Sequence, residues 1–342
     1  MEQLPPITDD DAMSRPPAHL HPVEIACDES GSDGENLVNG NTDVFTHASV
    51  GLDRTAAEQG LDETFDRVRS PASSALTEYK ANVLLRPKHR RALIWLLGPS
   101  GPLLGGAHVH VVDKRHFLLA TTTALLTDTD EETADLVLAA HHAGPETYGT
   151  ERWRDFLAAA NDLLRARTRP DAPDPVEAFG RSVERLHAVG PADAAGPAAR
   201  LTERLLPTRE RADRIRLHLA QDPGDWPVLD PLFPALLHTI GHWSTGGRRV
   251  TVVHDRQNTL TPERIGHVAA ATGGALAEVQ LVEARQDPRI GLADFLAGTT
   301  RKIASDLLQG VEDPELTDLL RPYTDSPAGS PASWRWSGSR PG

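Results

Sequence analysis

Cysteine is nearly absent: Cys27 is the only one in 342 residues. A single thiol excludes an internal disulfide and any cysteine-based zinc cluster, and it fits a reducing compartment. Aromatic residues are also few, at 5%. Positive charge is short. Lys and Arg number 35 against 49 Asp and Glu, so the formal net charge is −14 and no global positive field gathers nucleic acid. That argues against a DNA-coating protein but not against a nuclease, because carboxylates that hold a divalent metal are themselves acidic. Long hydrophobic runs are missing too. The most apolar stretch, residues 92–112, is broken by Gly98-Pro99-Ser100-Gly101-Pro102 and by Gly105-Gly106, which excludes a membrane span. No basic segment followed by an apolar one opens the chain, so no signal peptide is expected and the expected compartment is the cytoplasm. A phosphate-cradling P-loop and a dinucleotide fingerprint are likewise lacking.

What remains is a globular composition, 39% hydrophobic and 25% charged, on a chain long enough for one large domain or two smaller ones. Residues 1–20 carry Pro5-Pro6, Asp9-Asp10-Asp11 and Pro16-Pro17 and read as a flexible tail. Val23-Glu24-Ile25-Ala26 then begins a strand, and residues 44–52 a second, antiparallel to it. The connection between them is long for a hairpin. Residues 53–68 fit a helix capped by Asp53, with Ala57, Leu61, Phe65 and Val68 at helical spacing. Residues 76–84 alternate as a strand, with Glu78, Lys80 and Asn82 on one face. Pro87 opens a helix that closes at Gly98-Pro99, and 107–114 is the clearest strand of the chain. From 128 to about 220 the period is helical throughout, without a fixed repeat, and reads as an all-helical insertion. A helix over 232–243, a strand over 249–255, a helix over 262–272, a strand over 276–282 and a helix over 291–309 follow. The C-terminal stretch, rich in Pro, Ser and Gly, reads as a tail.

Cys27-Asp28-Glu29-Ser30-Gly31-Ser32-Asp33-Gly34 ends the first strand with two carboxylates, where sheets commonly present their chemistry. Taken alone it is an acidic turn. Asp255, in Val252-Val253-His254-Asp255, repeats the pattern on a later strand. Two strands each ending in Asp suit a hard cation, whose oxygen ligands must converge from separate elements; two-metal phosphodiester cleavage needs several carboxylates at one focus. Asp294 falls outside the apolar stripe of the last helix, where an ordinary solvated position near a helix start also explains it. Glu78 and Lys80 offer a further carboxylate and a cation, or a plain cross-strand charge pair. His108, His110 and His116 have a zinc-like spacing without a complete ligand set, and His141-His142 point apart, so these read as structural histidines. The turn from Asp28 to Asn36 lacks the glycine position and the closing Glu of a calcium loop. Asp28 and Glu29 point to opposite faces of an extended strand, so Asp28 is one candidate ligand followed by a turn and not half of a paired motif.

Asp28-Glu29-Ser30-Gly31, Glu78-Tyr79-Lys80, Val111-Val112-Asp113-Lys114, Val252-Val253-His254-Asp255 and Gly291-Leu292-Ala293-Asp294-Phe295-Leu296-Ala297-Gly298 together resemble the domain of unknown function 3800 family of bacteria, in order and spacing from about Val23 to Gln309. Two departures stand out: Gly291 where the family commonly has Gln, and Arg256 where it often has an acidic residue. The resemblance implies an α/β fold of ribonuclease H-like type, a mixed β-sheet flanked by helices and carrying an all-helical insertion. It divides the chain into a core of 21–127 and 226–312, an insertion over 128–225, and a flexible tail over 313–342.

The resemblance also implies a site. Asp28, Asp255 and Asp294 would be metal ligands for Mg2+ or Mn2+, Glu29 or Glu78 a fourth carboxylate, and Lys80 or Lys114 a contact to phosphate. The function implied is a divalent-metal-dependent nuclease or other phosphodiester-processing hydrolase, in the setting of defence or mobile elements. The alternative is an inactive ribonuclease H-like module that binds nucleic acid, or a protein partner through the helical insertion; the net charge and scarce aromatics favour it. A basic rim of Lys80, Lys88, Arg90, Arg91, Lys114, Arg115, Arg248 and Arg249 around an acidic focus separates the two.

Overall fold

A computed structural model describes residues 21–69, 80–128, 130–167, 173–189, 195–221 and 228–324. Glu78 and the two terminal stretches, 1–20 and 325–342, lie outside the described residues. The chain is α/β, with a mixed five-stranded sheet flanked by helices. Strands β1 (Val23–Ser30), β2 (Val44–Val50), β3 (Ala107–Asp113), β4 (Val250–Asp255) and β5 (Leu276–Val282) lie in the order β3-β2-β1-β4-β5. The β1–β2 and β2–β3 pairs are antiparallel, and the β1–β4 and β4–β5 pairs parallel.

Period-two alternation sorts the strand residues onto two covered faces. Val44, Ala48, Val50, Val109 and Val111 join one core. Ile25, Cys27, Phe45, Val250 and Val252 join another on the opposite side. Cys27 is completely buried, and that burial pushes its thiol well above the ordinary range, so it is an inert core residue.

The helices are α1 (Arg54–Val68), α2 (Ala81–Leu84), α3 (Arg90–Leu97), α4 (Lys114–Leu126), α5 (Glu131–Tyr148), α6 (Thr150–Leu164), α7 (Pro175–Val189), α8 (Pro197–Leu205), α9 (Arg209–Gln221), α10 (Leu232–Trp243), α11 (Pro262–Ala271), α12 (Pro288–Leu308) and α13 (Pro314–Leu320). Asp53 caps α1 by accepting from the Ala56 N–H at 2.9 Å, a contact worth about 1 kcal/mol. α1, α3 and α12 cover the first face, with Leu93, Leu96, Leu292, Phe295 and Leu296 in its core. α10 and α11 cover the second through Leu232, Ala235, Leu236, Ile240 and Val268. α4 to α9 build a separate hydrophobic cluster around Trp153, Phe156, Leu163, Phe179 and Leu201.

Three expectations need correction. Residues 81–84 are helical: Ala81 and Leu84 are buried one turn apart, and Ala81 packs against Gly298 of α12. Four residues of alternation do not separate a strand from a single turn in which the first and fourth positions are apolar. Helix also begins earlier than 128, because the Asp113 carboxylate caps α4 directly at the end of β3. Chain beyond 313 is folded through Tyr323, which is buried and donates its hydroxyl to the Leu97 carbonyl at 2.8 Å.

The long β1–β2 connection has a physical reason. Leu37 and Val38 insert into the α4–α9 cluster, and Asn161 of α6 accepts from the Leu37 N–H at 2.9 Å and donates to the Glu35 carbonyl at 2.7 Å. None of the described helices is long and apolar enough to cross a membrane.

Candidate carboxylate site

The parallel register pairs Ala26 with Val253 and Cys27 with His254. Asp28 and Asp255 follow in the next position of each strand and share a face with Ala26 and Val253. That face is covered by Ile290 at the start of α12. α12 runs beside β1 in the same direction, for its Arg301 Nε donates to Ser30 Oγ at 2.9 Å. Ile290, Asp294 and Gly298 form one row four residues apart. Four helical residues rise about 6 Å and two strand residues about 6.6 Å, so the row keeps step with Ala26, Asp28 and Ser30. Asp294 therefore stands level with Asp28.

Electrostatics agree with that placement. Burial, then the charges of Glu29 and Asp294 and more weakly Asp255, push Asp28 up to about 8. Glu29 is pushed up to about 7 by burial, then by Asp255, with Asp230 and Asp294 adding to it. Asp28 and Glu29 thus retain protons near neutrality, in a poorly solvated space that also feels the charges of Asp255 and Asp294. Asp230, just before α10, is half-buried and adds its charge on Glu29; nothing in its local sequence marks it.

Glu29 leaves β1 on the opposite face from Asp28. Its Oε2 accepts from Gln257 Nε2 at 3.2 Å and lies 3.7 Å from His254 Nε2. His254 Nδ1 is 2.9 Å from the Asp255 carbonyl, an acceptor only, so Nδ1 carries the proton. Burial holds His254 down to about 4, neutral at pH 7. Its Nε2 then accepts from His47 Nε2 at 3.2 Å, and His47 Nδ1 accepts from the Thr239 hydroxyl at 2.8 Å. These contacts fix both tautomers and hold the end of β4 beneath the site.

The remaining candidates separate. Lys80 is close, with Nζ 3.9 Å from Asp294 Oδ1. Lys114, the other expected phosphate contact, is wholly buried; it pairs with Asp33 at 2.5 Å and donates to Thr42 Oγ1 at 2.6 Å. It cannot meet a substrate. Asp33 is thereby the turn residue of the acidic loop, since it also accepts from the Thr42 N–H at 3.1 Å. Of the expected basic rim, Arg90 is fastened to Asp313 and Glu315, Arg115 pairs with Asp43, and Arg249 donates to the Leu276 carbonyl. The zinc-like histidines also part company. His108 and His110 stack on His242 and His238, with ring centroids 3.9 and 4.0 Å apart, while His116 lies by His141. Stacked rings keep their nitrogens in near-parallel planes and do not converge on one ion.

Among the described residues, no group of three or more His, Cys, Asp or Glu is arranged so as to hold a metal ion. Convergence of Asp28, Asp255 and Asp294 thus stops at a shared face and a shared field. The reason lies in their present partners: Asp28 accepts from the Glu29 N–H at 2.8 Å, Asp255 from the Arg256 N–H at 3.0 Å, and Asp294 leans to Lys80. The donor chemistry nevertheless fits a hard divalent cation. All the donors are carboxylate oxygens and come from three elements, and burial, with the charges of Glu29, Asp294 and Asp255 added, raises Asp28.

Comparison of the chain with models of known protein families, with curated proteins and with solved structures finds no match.

Proposed function

We infer that the protein is a cytoplasmic, divalent-cation-dependent phosphodiesterase acting on nucleic acid, on a ribonuclease H-like core. The observation that carries this reading is the burial of Asp28 beside Glu29, Asp294 and Asp255 at the adjoining ends of β1 and β4, which together raise it to about 8. The strand order, with β1 central between an antiparallel and a parallel partner, supports the ribonuclease H-like assignment. The separate core of α4 to α9 supports reading those helices as an insertion, starting at Lys114 and not at 128. Asp28, Asp255 and Asp294 would hold Mg2+ or Mn2+, which supplies an activated water and stabilises the leaving oxygen. Lys80 balances Asp294 until the cation arrives. Glu29 belongs to the opposite face, where its Oε2 accepts from Gln257 Nε2 just past the end of β4.

A second reading, an inactive module that binds a partner through its helices, draws support from the rim cations already paired within the protein. Calorimetric titration of the full chain with Mn2+ separates the two. Wild type binds, and Asp28→Asn, which removes a ligand, loses at least the roughly 10–100-fold that follows from disturbing the groups around a metal's ligands. Equal binding by both proteins rules out the cation site. Binding without cleavage of single- or double-stranded RNA or DNA favours the inactive module.

A further inference from the structure

Arg301 extends along the same face of α12 as Asp294, two turns further on, and reaches the end of β1. Its Nε donates to Ser30 Oγ at 2.9 Å. The terminal guanidinium nitrogens meet no carboxylate at ion-pair distance among the described residues, although Asp33 and Asp306 attract it from farther away. The side chain is half-buried, and that burial alone lowers its pKa. A half-buried guanidinium without a bound carboxylate is an uncommon arrangement, because desolvating a charge costs free energy unless a partner compensates.

The backbone is shaped to seat it. Gly31 has φ +92°, and a Cβ there would stand 2.8 Å from Arg301 Cδ and overlap the Val44 carbonyl. The Ser30-Gly31 pair thus provides one hydrogen bond and one open passage, both used by the stem of Arg301. By contrast Lys114, the neighbouring cation, is consumed by Asp33.

We propose that Arg301, held by Ser30 over Gly31, is a subsite for a backbone phosphate of a nucleic-acid strand that has another phosphate, about two nucleotides away, at the Asp28–Asp255–Asp294 focus. Ser30 follows Asp28 by two strand residues on the same face, about 6.6 Å along β1. A nucleic-acid strand advances about 3.4 Å per nucleotide, so one strand lying along β1 meets both places within about two nucleotides. A guanidinium is the side chain suited to bidentate contact with a phosphate. The acidic focus repels the same strand, so a fixed cation beside it also offsets the barrier to approach.

This subsite rests on the phosphodiesterase reading, and the test distinguishes their failures. Binding of a fluorescein-labelled RNA or DNA decamer to the full chain is followed by anisotropy in Ca2+ across a salt series, for wild type, Arg301→Gln and Arg301→Lys. Removing one phosphate contact lowers the slope of log affinity against log salt by about one and weakens binding about tenfold at low salt, while Arg301→Lys keeps the slope. Mn2+ affinity measured without oligonucleotide stays unchanged in Arg301→Gln, which separates the subsite from a collapsed fold. Equal slopes and affinities in wild type and Arg301→Gln overturn the subsite, as does a wild type that binds neither decamer. A wild type that binds and never cleaves overturns only the phosphodiesterase reading.

Discussion

Asp28 and Glu29 are neighbours in sequence and stand on opposite faces of β1. Asp28 lies beneath α12 with Asp294, and Glu29 lies 3.7 Å from His254 on the α10 side. Burial raises both, and the charge of Glu29 raises Asp28 further across the thin strand between them, while Glu29 is raised by Asp255, Asp230 and Asp294.

Stability follows with a definite sign. The unfolded chain releases these two protons near the ordinary carboxylate values, about pH 4, whereas the folded chain keeps them until about pH 7 for Glu29 and about pH 8 for Asp28. Between those limits the folded state binds more protons, so stability falls as pH rises, by up to about 1.4 kcal/mol per pH unit for each group. The fall ends above about pH 8. Asp28→Asn removes its share, and denaturant unfolding from pH 5 to pH 8 should show a shallower decline and a more stable protein at the alkaline end. An unchanged slope in the variant would mean that Asp28 is not held in this field.

Cation binding is linked to the same protons. A metal at Asp28 needs the carboxylate form, and at about pH 7 most of Asp28 is protonated, since burial and its neighbours push it up to about 8. Mn2+ binding should therefore release close to one proton at pH 7 and tighten as pH approaches 8. Titrations at pH 7 in two buffers of different ionisation enthalpy read this directly: the apparent heats differ by that enthalpy difference. Identical heats in both buffers contradict the linkage.

How far the sequence reveals this arrangement depends on the range of the interactions. β1, β3 and β4 are legible because each is a short β-prone run that ends in polar residues, and Asp28 and Asp255 stand out for the same reason. Asp294 is not resolved by a helical wheel. α12 is apolar almost all round, with Ile290, Leu292, Ala293, Phe295, Leu296 and Ala297 buried, so the acidic face is defined only by the row that Asp294 shares with Ile290 and Gly298 over β1. Arg301 has no local signature, because its partner Ser30 lies 271 residues away. The pairing of Lys114 is not legible locally either, because Asp33 lies 81 residues earlier. Residues 81–84 misread as strand because a four-residue pattern fits two periods.

Gly298 controls the approach of α2 to α12. A Cβ at this position would overlap the Ala81 Cβ, and neither atom is the far end of a flexible chain. Gly298→Ala gains helix propensity of about 1 kcal/mol yet should be destabilising by about 1–3 kcal/mol through overpacking, and it shifts Lys80 away from Asp294. Ala81→Gly in the same protein relieves the contact. Chemical denaturation of both variants tests this; a Gly298→Ala protein as stable as wild type would place α2 farther from α12.

Asp287 and Arg289 anchor the first turn of α12, and with it Asp294. Asp287 is 1% and Arg289 3% exposed, and the guanidinium meets Asp287 through Nε at 3.0 Å and Nη2 at 2.6 Å while also reaching Glu24 at 2.6 Å. Asp287 further accepts from the Arg289 N–H at 3.1 Å, capping the helix. Asp287→Ala leaves the buried Arg289 with only the half-exposed Glu24 as an ion-pair partner, a loss of up to about 3–5 kcal/mol, beyond the roughly 1 kcal/mol of a lost cap. Replacing Arg289 by Met in the same chain removes that charge while leaving the cap broken, so Asp287→Ala with Arg289→Met should recover most of the loss. If the double variant is no more stable than Asp287→Ala alone, the loss lies in the cap and not in the ion pair.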